Sequence, residues 1–225
     1  MTIADYISAQ YSSKDHFHKL YVNGQLEETV QDDAASTPVT LDSARIGSWL
    51  NLDEGGGHID RGLHGEISVF RIWNIVTDGQ DVCPPAQTPG LIASYVFGHS
   101  SDTLLDLSGN SYDGLIHDAD WSNDLPPSQQ CQRQGFGGFF DGDSDYVQMP
   151  QLRDASGALK TTFDALAVDL CKIVILSRFV ALSVALTPKV SLLQGSSSST
   201  PLANTRSSWS GIRCFSLCVA CVSLT

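Results

Sequence analysis

Residues 64–74 read HGEISVFRIWN, with Ile67, Val69, Arg71 and Trp73 alternating with Glu66, Ser68, Phe70 and Ile72. Successive side chains on an extended chain point to opposite faces, so this period of two predicts a β-strand with at least one buried face. The question it raises is chemical: this strand is either the catalytic strand of a sugar-cleaving enzyme or the wall of a binding module.

Outward from this stretch, short apolar runs separated by Gly, Asn, Asp and Pro recur through residue 150. HKLYVNGQLEETV, residues 18–30, holds two such runs around Asn23-Gly24. That dipeptide suits a two-residue hairpin turn, in which both positions need positive φ. PVTLDSARIG predicts a short strand into Arg45-Ile46-Gly47, followed by the loop SWLNLDEGGGHIDRG. After the Pro-rich 83–89 and Gly90, LIASYVFG is again of strand type. DLSGNSYDGLI is turn-rich, and GFGGFFDGDSDYVQM reads as two half-strands joined by a turn at Gly142 to Ser144. Nothing before residue 154 has helical periodicity, so the expected fold is all-β, an antiparallel β-sandwich or jelly roll.

The 225 residues, 42% of them hydrophobic, are enough to fill the core of one large β domain or two small ones. The net charge of -12 argues against nucleic acid and anionic membranes, because both repel an acidic surface. Cations are the more natural ligand. The charge is unevenly spread: residues 1–164 carry 8 Lys/Arg and 24 Asp/Glu, whereas residues 165–225 carry 5 and 1. Beyond 164 the chain turns rich in Ser, Leu and Val, holds four of the six cysteines and includes GSSSST at 195–200, so 165–225 reads as an atypical tail.

MTIADYISAQ has neither the basic end nor the apolar run of a secretory signal. CKIVILSRFVALSVALTP is interrupted by Lys172 and Arg178, leaving ten uncharged residues from Phe179 to Pro188, where a spanning helix needs about 20. Cys83 and Cys131 are candidates for pairing in an oxidising compartment, while Cys214, Cys218 and Cys221 lack a fourth ligand at finger-like spacing.

KLYVNGQLEETV, RIGSW, a Gly-rich loop and GEISVFRIWN, in that order, resemble the second half of a laminin G-like jelly-roll domain of the concanavalin A-like lectin/glucanase superfamily, with a pentraxin flavour in the last strand. GLIASYVFG, DLSGNSYDG, the Trp121 strand and GFFDGDSDYVQMP then resemble the first half of such a domain. The likeness runs over residues 13–152. It departs in having Ser68 where the family has Asp, in lacking the family's central strands, and in losing the pattern after ALKTTFDALAV. Two organisations fit. In one, residues 13–82 end one repeat, 83–89 link, and 90–164 begin the next. In the other, residues 13–152 close a single permuted sandwich, as chains with neighbouring termini tolerate.

The resemblance brings the glucanase motif ExDxxE into question, since retaining hydrolysis needs two carboxyls about 5–5.5 Å apart. The same register here reads Glu66, Ser68 and Arg71, so only the first carboxylate remains. No GxSxG elbow appears either. His16 and His18 share a strand face, a pattern that serves a metal or an ordinary exposed strand.

Asp141, Asp143 and Asp145 recur at every second residue and would repel one another on one strand face unless a turn splays them or a hard cation neutralises them. A calcium site of loop type would add Asp106, Asn110 and Asp113; the competing reading of DLSGNSYDG is a pair of turns whose Asp and Asn cap backbone groups. The resemblance implies calcium in some members. Trp49, with Asn51 and Asp53, is the candidate platform for sugar binding. The functional expectation is therefore a non-catalytic, extracellular or cell-surface module that binds carbohydrate or a protein partner, with calcium as its candidate cofactor. A structural spacer repeat and a degenerate glucanase are the alternatives. The oligomeric state stays open.

Overall fold

The computed structural model describes residues 2–31, 38–40, 44–51, 58–79, 84–98, 101–122, 137–153, 158, 162–175, 182–184 and 217–219. Every regular element among them is a strand. In chain order these are β1 Thr2–Ser12, β2 Phe17–Val22, β3 Gln25–Gln31, β4 Val39–Thr40, β5 Arg45–Ile46, β6 Ser48–Asn51, β7 His58–Gly62, β8 His64–Ile67, β9 Val69–Trp73 and β10 Leu91–Val96. The others are β11 Thr103–Leu104, β12 Gly114–His117, β13 Asp120–Ser122, β14 Gly137–Asp141, β15 Tyr146–Gln148, β16 Thr162–Phe163, β17 Ala165–Ile175, β18 Leu182–Val184 and β19 Leu217–Val219. Neighbouring strands pair antiparallel throughout. The expected all-β antiparallel class is what the chain adopts.

HGEISVFRIWN becomes β8 and β9 at the middle of the largest sheet. Both face β17 in one unbroken register, with Glu66 opposite Val174, Val69 opposite Cys171 and Trp73 opposite Ala167. Their other edge is shared, because β14 takes β8 and β10 takes β9. At the fork, the Phe97 N–H donates to the Ser68 carbonyl at 2.9 Å. The strand alternation holds from Val69 to Trp73 but breaks at the Ser68 bend: Ile67 joins Phe70 and Ile72 in the main core instead of sharing a face with Val69. A strand that changes partner midway must bend there, and no local pattern announces it.

The sheet runs β13-β14-β8-β17-β1-β2-β3, with β10 on β9. Its cross-strand rows explain the core. One row reads Tyr95, Phe70, Leu170, Ile7, Val22 and Gln25, and the next reads Ala93, Ile72, Val168, Ala9, Leu20 and Glu28. Each row is apolar in the middle and polar at the β3 margin, which is exposed along its whole length. Against the apolar part packs a second sheet, β11-β12-β15-β5, contributing Leu104, Val147 and Ile46 to the same core, with Met149 just past β15 joining them. Each such fully buried aliphatic or aromatic side chain contributes roughly 1.5–3 kcal/mol.

The two half-repeats read from the sequence pair with each other, β14 on β8, β10 on β9 and β15 on β5. Two segments beyond residues 13–152 complete them. β1 and β17 pair along Thr2–Ser12 and Ala165–Ile175, in the centre of the large sheet. The change of composition at residue 164 is thus no boundary of the sheet, because Leu166, Val168 and Leu170 continue the inward period of two straight through it. Local turn chemistry fares as expected. Asn23 and Gly24 take φ of 52° and 76° between β2 and β3, and the bend at 142–144 lies in the link 142–145 from β14 to β15.

Candidate functional site

The acidic loops are built around backbone groups. Asp106 accepts from Ser94 N and Ser108 N through Oδ1, both at 2.9 Å, and from Ser108 Oγ at 2.7 Å and Tyr112 N at 3.1 Å through Oδ2. Asp113 Oδ1 accepts from Asp106 N at 2.8 Å, and Asn110 Nδ2 donates to the carbonyls of Leu91 and Ile92. DLSGNSYDG is therefore a peg that ties its own turn to β10. The Tyr95 hydroxyl donates to the Tyr112 carbonyl beside it, and burial, with Asp106 and Asp113 nearby, pushes that phenol far up so that it stays protonated.

Asp141, Asp143 and Asp145 do not align on one strand face, because Gly142 at φ 91° turns the chain between β14 and β15. Asp145 Oδ2 accepts from Asp141 N at 2.7 Å, and Asp141 Oδ1 from Asp143 N at 2.8 Å. Burial raises the Asp145 carboxyl above its usual range, and the charges of Asp141, Asp118 and Asp120 add to that, while the backbone donor opposes it. The structure thus places these aspartates beside Asp118 and Asp120 and not beside Asp106. Among the described residues, no three His, Cys, Asp or Glu side chains are placed to hold a metal ion.

Trp49 and Asn51 lie on β6, opposite Arg61 and His58 of β7. Their side chains, Asp53, and both Cys83 and Cys131 fall outside the described residues. His16 sits in a turn with φ 55°, and His18 on β2 packs its ring 5.0 Å from that of Tyr11.

Arg71, at the position of the second glucanase carboxylate, is buried opposite Asp169 of β17 and Ser94 of β10. Trp73 Nε1 donates to Asp169 Oδ2 at 2.7 Å, and Gln10 Nε2 reaches Ser8 Oγ and Thr77 Oγ1 on the same face. Burial pushes the Asp169 carboxyl up, against the opposing pull of Ser8, Tyr6, Trp73 and the Arg71 charge.

The outward face of β11-β12-β15-β5 carries what the sequence reading missed. Thr103, Leu115, Gln148 and Arg45 form one row across the four strands, and His117 and Tyr146 form the next. Tyr146 is sandwiched: the His117 ring stacks on it at 4.4 Å and 20°, and the Arg45 guanidinium lies over it at 4.1 Å. Arg45 Nε also donates to Gln148 Oε1 at 3.0 Å. Leu115 on this face is 49% exposed, and Leu105, just past β11, is 59% exposed. Comparison with protein-family models, curated proteins and solved structures finds no match. Among the described residues no helix is long and apolar enough to cross a membrane.

Proposed function

We propose that the chain is a non-catalytic recognition module of the laminin G-like kind, acting outside the cell or at its surface, whose contact surface is the outward face of the four-stranded sheet. The observation that carries the reading is the Arg45–Tyr146–His117 stack with Leu115 exposed beside it. Interfaces are enriched in Tyr and Arg, and a face held rigid on paired strands binds with little ordering cost. Both faces of Tyr146 are covered, which leaves no open ring for a sugar to stack on and favours a protein partner over a carbohydrate. Burial of Arg71 against Asp169 supports the non-catalytic side of the reading, since Glu66 has a buried cation where hydrolysis would need its second carboxylate. Calcium rests on the resemblance alone, because the oxygens of Asp106 are taken by four protein donors.

The test is binding of the full chain to glycan and peptide arrays, with Leu115→Asp and Arg45→Ala variants as controls. Signal that both variants lose supports the reading. Turnover of a β-glucan that Glu66→Gln abolishes would replace it with the glucanase, and absence of binding on either array with the spacer.

A further inference from the structure

We infer that Asn23-Gly24 is a self-modifying site, a deamidation held off by the closed β2–β3 hairpin and released when the hairpin opens. Of the six asparagines in the chain, only Asn23 is followed by glycine. Glycine has no Cβ, so its backbone nitrogen is unhindered as a nucleophile. Once base removes the Gly24 amide proton, that nitrogen attacks Asn23 Cγ. The N–Cγ bond forms, the Cγ–Nδ2 bond breaks, and the departing amide group takes up a proton and leaves as ammonia. Water then opens the cyclic imide at either carbonyl. One opening gives aspartate; the other gives isoaspartate, whose main chain runs through Cβ and Cγ and is longer by one carbon.

The fold decides when this happens. Asn23 is exposed, but its carboxamide is clamped: the Tyr6 N–H donates to Asn23 Oδ1 at 3.1 Å, and the Asn23 N–H donates to the Tyr6 carbonyl at 2.8 Å. These two bonds extend the β1–β2 ladder one place past Ile7 and Val22 and hold the side-chain carbonyl against β1. Attack needs the reacting atoms about 3–3.5 Å apart with their orbitals aligned, so the carboxamide has to leave Tyr6 before Gly24 N reaches the face of Cγ. Tyr6 is 2% exposed on a central strand, which makes Asn23 the side that moves. Beyond it β3 is exposed along its whole length, so little apolar burial keeps the hairpin closed, and such margins open at low free energy.

Asn110 has the opposite arrangement. Its Nδ2, the group that would leave, is held by the carbonyls of Leu91 and Ile92, and the next residue is Ser111. At Asn23 the two products differ in consequence. An aspartate still accepts from the Tyr6 N–H, whereas isoaspartate adds a main-chain atom to a two-residue turn that sets the β2–β3 register, so β3 no longer pairs as before.

The experiment incubates the full chain at mildly alkaline pH, native and in urea, and follows conversion at each asparagine by peptide mass spectrometry. Hydrogen exchange of the Tyr6 amide, the donor of the clamp, is measured by NMR under the same native conditions. Asn23 is expected to convert first in urea, and more than about tenfold more slowly in the native chain, equivalent to an opening free energy above about 1.4 kcal/mol. The native-to-urea ratio should match the open fraction that Tyr6 exchange gives. Leu20→Ala, which loosens β2 where it packs against the core, should raise both together. Asn23→Asp should keep the hairpin amide shifts that the isoaspartate fraction loses.

A native rate equal to that in urea, a ratio that disagrees with Tyr6 exchange, or faster conversion at another asparagine would each overturn the inference. If thermal melting shows Leu20→Ala to be unfolded, the wild-type comparison decides alone.

Discussion

Arg71 on β9 lies directly opposite Asp169 on β17, and the two are 2% and 1% exposed. The pair is in the middle of the large sheet, on the face away from the main core, with Trp73 donating to the carboxylate. Removing one partner leaves an uncompensated buried charge. Asp169→Ala is expected to cost about 3–5 kcal/mol, and an Arg71→Met/Asp169→Leu double change, which removes both charges together, to cost far less. Chemical denaturation of the two variants checks this.

The same pair sets a pH dependence. Burial raises the folded-state value of Asp169 above that of the unfolded chain. The folded state therefore holds the proton more tightly, and this contribution is fully present below the ordinary carboxylate value and lost as pH rises through the raised one. Asp145, raised for the same leading reason, acts in the same direction. Melting temperatures taken across the acid range should show the fall with rising pH for the wild type. Asp169→Asn should flatten its share of it, and an unchanged slope would refute the assignment.

Asp106 is the hub of its loop, and losing its four accepted bonds in Asp106→Ala should cost about 3 kcal/mol, since bonds to a charged acceptor are worth about 1.5–3 kcal/mol each and water replaces part of the loss. Because the carboxylate is already satisfied, the melting temperature should be the same in excess calcium and in EDTA. A rise with calcium would mean a ligand that binds the folded state, and would return these loops to metal binding.

Gly138 on β14 is placed where a Cβ would lie 2.4 Å from Cδ1 of Phe97, whose ring packs 6.0 Å from that of Phe140. Gly138→Ala should therefore cost about 1–3 kcal/mol by overpacking. Adding Phe97→Leu should recover part of that loss, which a double-mutant cycle measures.

What could be read in advance was local. Asn23-Gly24, the turn at Gly142 to Ser144 and the alternation from Val69 to Trp73 are written in neighbouring residues, where turn geometry and a period of two act directly. The bend at Ser68 was not legible, because its cause is a change of partner from β14 to β10, far away in the chain. Nor was the stack, since Arg45, His117 and Tyr146 meet only through the pairing of β5, β12 and β15. The aspartates were visible as a pattern, but that pattern serves a turn and a cation equally, and the backbone donors around Asp106 and Asp145 became visible only with the fold.

The charge profile was the misleading signal, and it leads to a direct test. Averaged over residues 165–225, composition suggests a foreign segment after Asp164, yet the first eleven residues of that segment are β17. On one side β17 pairs with β1 and on the other with β8 and β9, so without it the two parts of the large sheet have no strand between them. It also supplies Leu166, Val168 and Leu170 to the core and Asp169 to Arg71. A chain ending at Asp164 is expected to show no cooperative thermal transition, whereas one ending at Ile175 should melt cooperatively. If the shorter chain melts as sharply as the longer one, β17 is an accessory strand, and the central place argued for it is wrong.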